Sequence, residues 1–224
     1  MKNHKLFFLI IVFLFISIIY VYFTNNHFVP KNIGQYSQNI VLDDYVDKED
    51  SEKLKLIEPN IINYRKNTEY DIEDNIKEKL CLIPYDLLYT FFNQGFKLII
   101  SLDSINDSTN TLANIDYNNK YITFYIEDKK GDSIIHEFGH WFTYYIEEKY
   151  DSKIFKRVSN NMIKEIDNID NISPFYKKYY RITPDETCAA LFESYILSKG
   201  ENNKLPISTT FYNYYLNIFR EKLK

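Results

Sequence analysis

Histidine is scarce in this chain, with four residues in 224. Cysteine is scarcer still, with two, which excludes a disulfide scaffold. An excess of basic charge is also missing. The formal net charge is -4, which argues against a general nucleic-acid binder. Glycine is sparse, and alanines are few. Apolar residues nonetheless reach 45% and charged residues 26%, so most of the chain should fold. With 21 tyrosines and 17 phenylalanines, bulky core material comes from aromatics. The length suits one domain with an appendage, or two small domains.

Long uncharged runs are absent except at the start. Residues 6–23 read LFFLIIVFLFISIIYVYF, long enough to cross the hydrocarbon core of a bilayer. Lys2 and Lys5 precede the run and should stay cytoplasmic, which exports the remainder. The competing reading is a cleaved signal peptide, whose apolar part is shorter and ends in small residues. This run ends in Tyr20, Val21, Tyr22 and Phe23, which favours an uncut anchor. Residues 24–55 follow as a polar tether, with Pro30, Gly34 and the acidic stretch Asp43, Asp44, Asp47, Glu49 and Asp50.

Beyond the tether the patterns change twice. Residues 84–94 predict a helix opened by Pro84 and closed by Gly95, with Leu87, Leu88, Phe91 and Phe92 as its apolar stripe. Residues 96–102 and 121–126 read as strands, the second with Ile122, Phe124 and Ile126 on one face. A polar loop is expected between them, and from about residue 132 the patterns are helical. Mixed elements followed by helices indicate an α+β domain over residues 56–224.

Two of the four histidines fall in DSIIHEFGHWFTYYI, residues 132–146. Ile134, Phe138, Trp141 and Tyr145 form a buried stripe on this helix. His136 and His140 lie one turn apart and can both reach one Zn²⁺. Glu137 sits about 100° around the helix, where a carboxylate can take a proton from an activated water. Gly139 costs about 1 kcal/mol in a helix interior, which suggests a close packing demand.

A catalytic zinc takes three protein ligands. His4 precedes the anchor and His27 adjoins it, so the third ligand should be a later carboxylate. TPDETCAALFESYILS, residues 183–198, begins a helix with Thr183 as N-cap and Pro184 behind it. Glu186 can close a capping box with Thr183, or it can bind metal. Glu193, two turns on, shares its face. Spacing leaves these two level, with Asp185 behind.

HEFGH followed by P-D-E-T-C-A-A and a C-terminal helix resembles the peptidase domain of anthrax lethal factor and the secreted Pro-Pro endopeptidases. The resemblance covers about 130 residues. It implies a zincin-like fold and a zinc endopeptidase acting on a peptide or protein substrate. His136, His140 and Glu186 would be the metal ligands, Glu137 the base, and Tyr179 the donor to the oxyanion. The second glutamate of the family pair is replaced by Ala190. That departure motivates a rival reading, a catalytically inactive binding ectodomain. The resemblance does not carry proline–proline specificity or a toxin role to this chain. A substrate peptide is expected along an edge strand at Tyr121–Ile126. Cys81 and Cys188 read as small apolar side chains rather than a disulfide. No feature sets an oligomeric state.

Overall fold

The structure, a computed structural model, describes residues 46–67, 69, 72–101, 112–125, 131–150, 160, 183–198 and 206–223. Residues 6–23 and Tyr179 lie outside them. Among the described residues no helix is long and apolar enough to cross a membrane.

Helix α1, Asp50–Ile57, takes in the last residues of the expected tether. Acids in its first turn and Lys55 in its last complement the helix dipole. Ile57 is fully buried. Lys53 is buried too, and its ammonium donates to Asp47 Oδ2 at 2.6 Å and to the Cys81 carbonyl at 2.7 Å. A 3₁₀ turn containing Pro59 leads into β1, Ile61–Asn63. Helices α2, Glu73–Cys81, and α3, Tyr85–Asn93, follow. The four apolar residues expected on α3 are all buried. Gly95 ends α3 with φ +88°, a left-handed conformation that side chains disfavour.

Strands β2, Lys97–Ile100, β3, Ala113–Asp116, and β4, Tyr121–Phe124, complete one mixed sheet. Its order is β1-β2-β4-β3, parallel except for the β3–β4 pair. Parallel neighbours need crossovers, and the α2–α3 segment supplies one between β1 and β2. β3 and β4 form a hairpin instead. Asp116 Oδ1 accepts the N–H groups of Asn118 and Asn119 at 2.9 Å each, which folds the turn. Ile122 and Phe124 point into the core as their alternation requires. Two expectations need correction. β3 lies in the span expected to be a loop. β4 is not an edge strand, because β2 and β3 flank it; β3 ends the sheet among the described residues.

The helical half is α4, Ser133–Tyr150, α5, Pro184–Ser198, and α6, Pro206–Leu223. The stripe Ile134, Phe138, Trp141 and Tyr145 is buried. Phe91 of α3 meets Phe138 and Trp141 with ring centroids 4.9 and 5.2 Å apart. The indole N–H of Trp141 donates to Gln94 Oε1 at 2.9 Å, so this large ring leaves no orphan donor. Arg220 of α6 reaches back to Asp86 of α3, Nε to Oδ2, at 2.7 Å. Cys81 and Cys188 are free thiols.

Helix α5 is buried continuously from Thr187 to Phe192, so it is a central element. It crosses α4 at Gly139. A Cβ at that position would lie 2.9 Å from both Ala189 Cα and the Ala189 carbonyl oxygen. Those atoms are backbone and cannot rotate away. Alanine normally improves a helix interior by about 1 kcal/mol, but overpacking costs about 1–3 kcal/mol. Gly139→Ala should therefore lower the urea midpoint of unfolding. A midpoint at or above wild type would contradict the close crossing.

Candidate metal centre

The crossing of α4 and α5 brings together residues 50 apart in sequence. His136 and His140 occupy successive turns of α4, with ring centroids 4.8 Å apart and ring planes at 81°. Glu186 lies in the first turn of α5. Its carboxylate faces both rings, with Oε2 3.3 Å from His136 Nε2 and Oε1 3.6 Å from His140 Nε2. One ligand atom from each residue falls within 4.8 Å of the others. Two imidazole nitrogens and one carboxylate oxygen form a donor set that suits a metal ion. The two imidazole side chains are 12% and 10% exposed, whereas Glu186 at 34% keeps the centre open to solvent.

Only half of the expected capping box forms. Thr183 Oγ1 accepts the Glu186 N–H at 3.2 Å, as an N-cap should. The Glu186 carboxylate turns toward the histidines instead of back to Thr183. Two adjacent imidazoles attract it more strongly than one peptide N–H does. The Glu186 carboxyl is held well below the usual carboxylate range by the two histidine rings, with burial opposing.

The histidines respond in kind. Burial disfavours a charged His136, yet hydrogen bonds to Glu186 and Glu193 raise its pKa to about 9. Burial likewise opposes a charged His140, and Asp185 and Glu186 lift its pKa to about 10. Without metal the rings thus act as cations that neutralise the carboxylates around them. A divalent cation can replace that positive charge.

Glu137 is the neighbour expected to act as base. Burial pushes its carboxyl upward, while the two histidines and the Ile115 N–H of β3 pull it down. β3 packs against α4, the helix that carries this carboxyl. Tyr117, in the hairpin, sits against Tyr144 of α4 with centroids 4.4 Å apart. Its hydroxyl is pushed well up by burial, then by Asp185 and Glu137, so it stays protonated beside the site.

Sequence reasoning expected His136, His140 and Glu186 as ligands, and these three form a group that could hold a metal ion. It ranked Glu193 with Glu186 as a ligand, but Glu193 meets the opposite ring nitrogen, Oε2 to His136 Nδ1, at 3.0 Å. Asp185 does the same to His140 Nδ1 at 3.3 Å. Tyr117 was not anticipated, since nothing in a tyrosine-rich sequence separates it from packing residues.

A separate cleft of about 820 Å³ opens between α1, α2, α5 and α6. It contains none of these residues, and its cations are matched by acids: Lys53 by Asp47, Lys77 by Glu73, Arg220 by Asp86.

The arrangement predicts one metal ion per chain. His140→Ala and Glu186→Ala should each weaken binding by more than the roughly 10–100-fold typical of losing a group that only supports a ligand. Titration against a chromophoric chelator measures this. Wild-type affinity in Glu186→Ala would remove that residue from the centre.

Compared with known proteins, the chain matches no family model, no curated protein and no solved structure, so the functional reading rests on its own residues.

Proposed function

We propose that the chain is a zinc endopeptidase with a zincin-like fold, hydrolysing peptide bonds of an extracellular protein. One observation carries the reading: the Glu186 carboxylate lies against the Nε2 atoms of both HEFGH histidines. His136, His140 and Glu186 would hold the ion. Zn²⁺, when bound, supplies Lewis acidity to the scissile carbonyl and acidifies a water molecule.

The remaining work falls to side chains. Glu137 removes a proton from the attacking water as its oxygen adds to the carbonyl carbon. It then delivers that proton to the amide nitrogen as the C–N bond breaks. Burial favours the protonated state of Glu137, which suits a base that must hold a proton between two steps. Tyr179, outside the described residues, keeps the role the family resemblance implies. Its hydroxyl would donate to the oxyanion, an effect worth about 3 kcal/mol for comparable donors.

The substrate peptide pairs with β3 rather than β4. β3 ends the sheet among the described residues and packs against α4, the helix that carries Glu137. An extended peptide added to this edge gains backbone hydrogen bonds while its side chains alternate between site and solvent. The apolar run at residues 6–23 would hold the domain at the extracellular face of the membrane, or release it if cleaved.

Cleavage of a broad peptide library by the detergent-solubilised chain tests the reading. Glu137→Gln should slow cleavage by about 10²–10⁴-fold while zinc content stays unchanged. A zinc-loaded wild type that cuts nothing in the library would favour the inactive binding ectodomain instead.

A further inference from the structure

We infer that Glu193 and Asp185 are positioning residues of this centre, Glu193 fixing the His136 ring and Asp185 the His140 ring. The inference rests on the metal-binding reading above and extends it to residues that touch no metal.

Each imidazole has two nitrogens on opposite sides of the ring, and here each meets a different carboxylate. His136 offers Nε2 to Glu186 at 3.3 Å and Nδ1 to Glu193 at 3.0 Å. His140 offers Nε2 to Glu186 at 3.6 Å and Nδ1 to Asp185 at 3.3 Å. A carboxylate acceptor at Nδ1 requires a proton on that atom. The neutral ring then carries its lone pair on Nε2, aimed at the shared centre. Both rings are thus set in the same tautomer, with the same nitrogen inward. Such an acceptor also stops the ring from rotating and raises the basicity of the ligating nitrogen.

All three carboxylates come from one helix, α5. Ala190 follows Glu186 by one turn, but it is buried and carries no acceptor. Glu193 follows by two turns and returns to nearly the same face. Its side chain is 27% exposed, a position that can hold a charge without full desolvation. Asp185 precedes Glu186 by one residue, is turned about 100° from it, and so reaches the other ring. Its side chain is 57% exposed, where water can partly replace it. Glu193 should therefore matter more than Asp185.

A shape-matched pair of variants separates hydrogen bonding from packing. Gln keeps an oxygen that accepts from Nδ1–H; Met keeps the length and has no such acceptor. Zinc affinity is measured by chelator competition on the full chain in detergent, for wild type, Glu193→Gln, Glu193→Met and Asp185→Ala. Nitrogen chemical shifts of the zinc-loaded protein report the His136 tautomer. Glu193→Met should weaken zinc about 10–100-fold, Glu193→Gln clearly less, and Asp185→Ala less than Glu193→Met. Wild-type His136 should carry its proton on Nδ1.

Wild-type zinc affinity in Glu193→Met would overturn the inference while leaving the metal centre standing. Equal losses in the Gln and Met variants would overturn it as well, and so would a His136 proton on Nε2. Abolished binding in Glu193→Met with retained binding in Glu186→Ala would reverse the two roles. A wild type that takes up no zinc would remove the metal reading itself, and the inference with it.

Discussion

Gly139 has no side chain, and a methyl group there would collide with the backbone of Ala189. This contact sets how closely α4 and α5 approach, and the candidate site depends on that distance. The two histidines are fixed to α4 and the three carboxylates to α5. Each extra ångström between the helix axes would draw Glu186 away from both imidazoles together. Around the crossing, Phe192 of α5 meets Phe138 and Phe142 of α4, with centroids 6.0 and 5.3 Å apart. Small residues at the contact and aromatic residues beside it make the approach both close and rigid.

Charge balance is the second constraint. Three carboxylates held close together on one helix would repel one another if left uncompensated. Here Glu186, Glu193 and Asp185 surround two imidazoles that can each take a proton. The same groups suit a divalent ion once the rings are neutral, because ligand binding then exchanges protons for metal. The sheet completes the arrangement from the other side. Strand β3 packs against α4, and its Ile115 N–H lowers the Glu137 carboxyl against the upward push of burial.

Periodic and local signals were legible in the sequence, whereas pairing across the fold was not. The stripe from Ile134 to Tyr145, the glycine end of α3 and the Thr183 cap each depend on neighbours a few residues away. All three appear as expected. β3 was missed because ANID is a four-residue strand without clear alternation. β4 was read correctly as a strand, but its place inside the sheet depends on which segments pair with it, and its own sequence does not encode that. The acidic start of α1 looked like solvated tether because its anchoring side chain is a lysine. Lys53 is buried only through Asp47 and the Cys81 carbonyl. At the site, HEFGH and the scarcity of histidine pointed to a carboxylate third ligand. Spacing left Glu186 and Glu193 level because both share a helix face. They differ in what they meet across the crossing: Glu186 faces Nε2 of both rings, and Glu193 faces Nδ1 of His136.

The central claim is that two imidazole nitrogens and one carboxylate oxygen, delivered by two crossing helices, make a metal-binding centre. X-ray absorption at the zinc edge of the zinc-loaded chain tests it most directly. The account predicts a first shell of nitrogen and oxygen at about 2.0–2.2 Å with the outer-shell pattern of two imidazoles. A sulfur scatterer at about 2.3 Å, or a shell without imidazole, would contradict it.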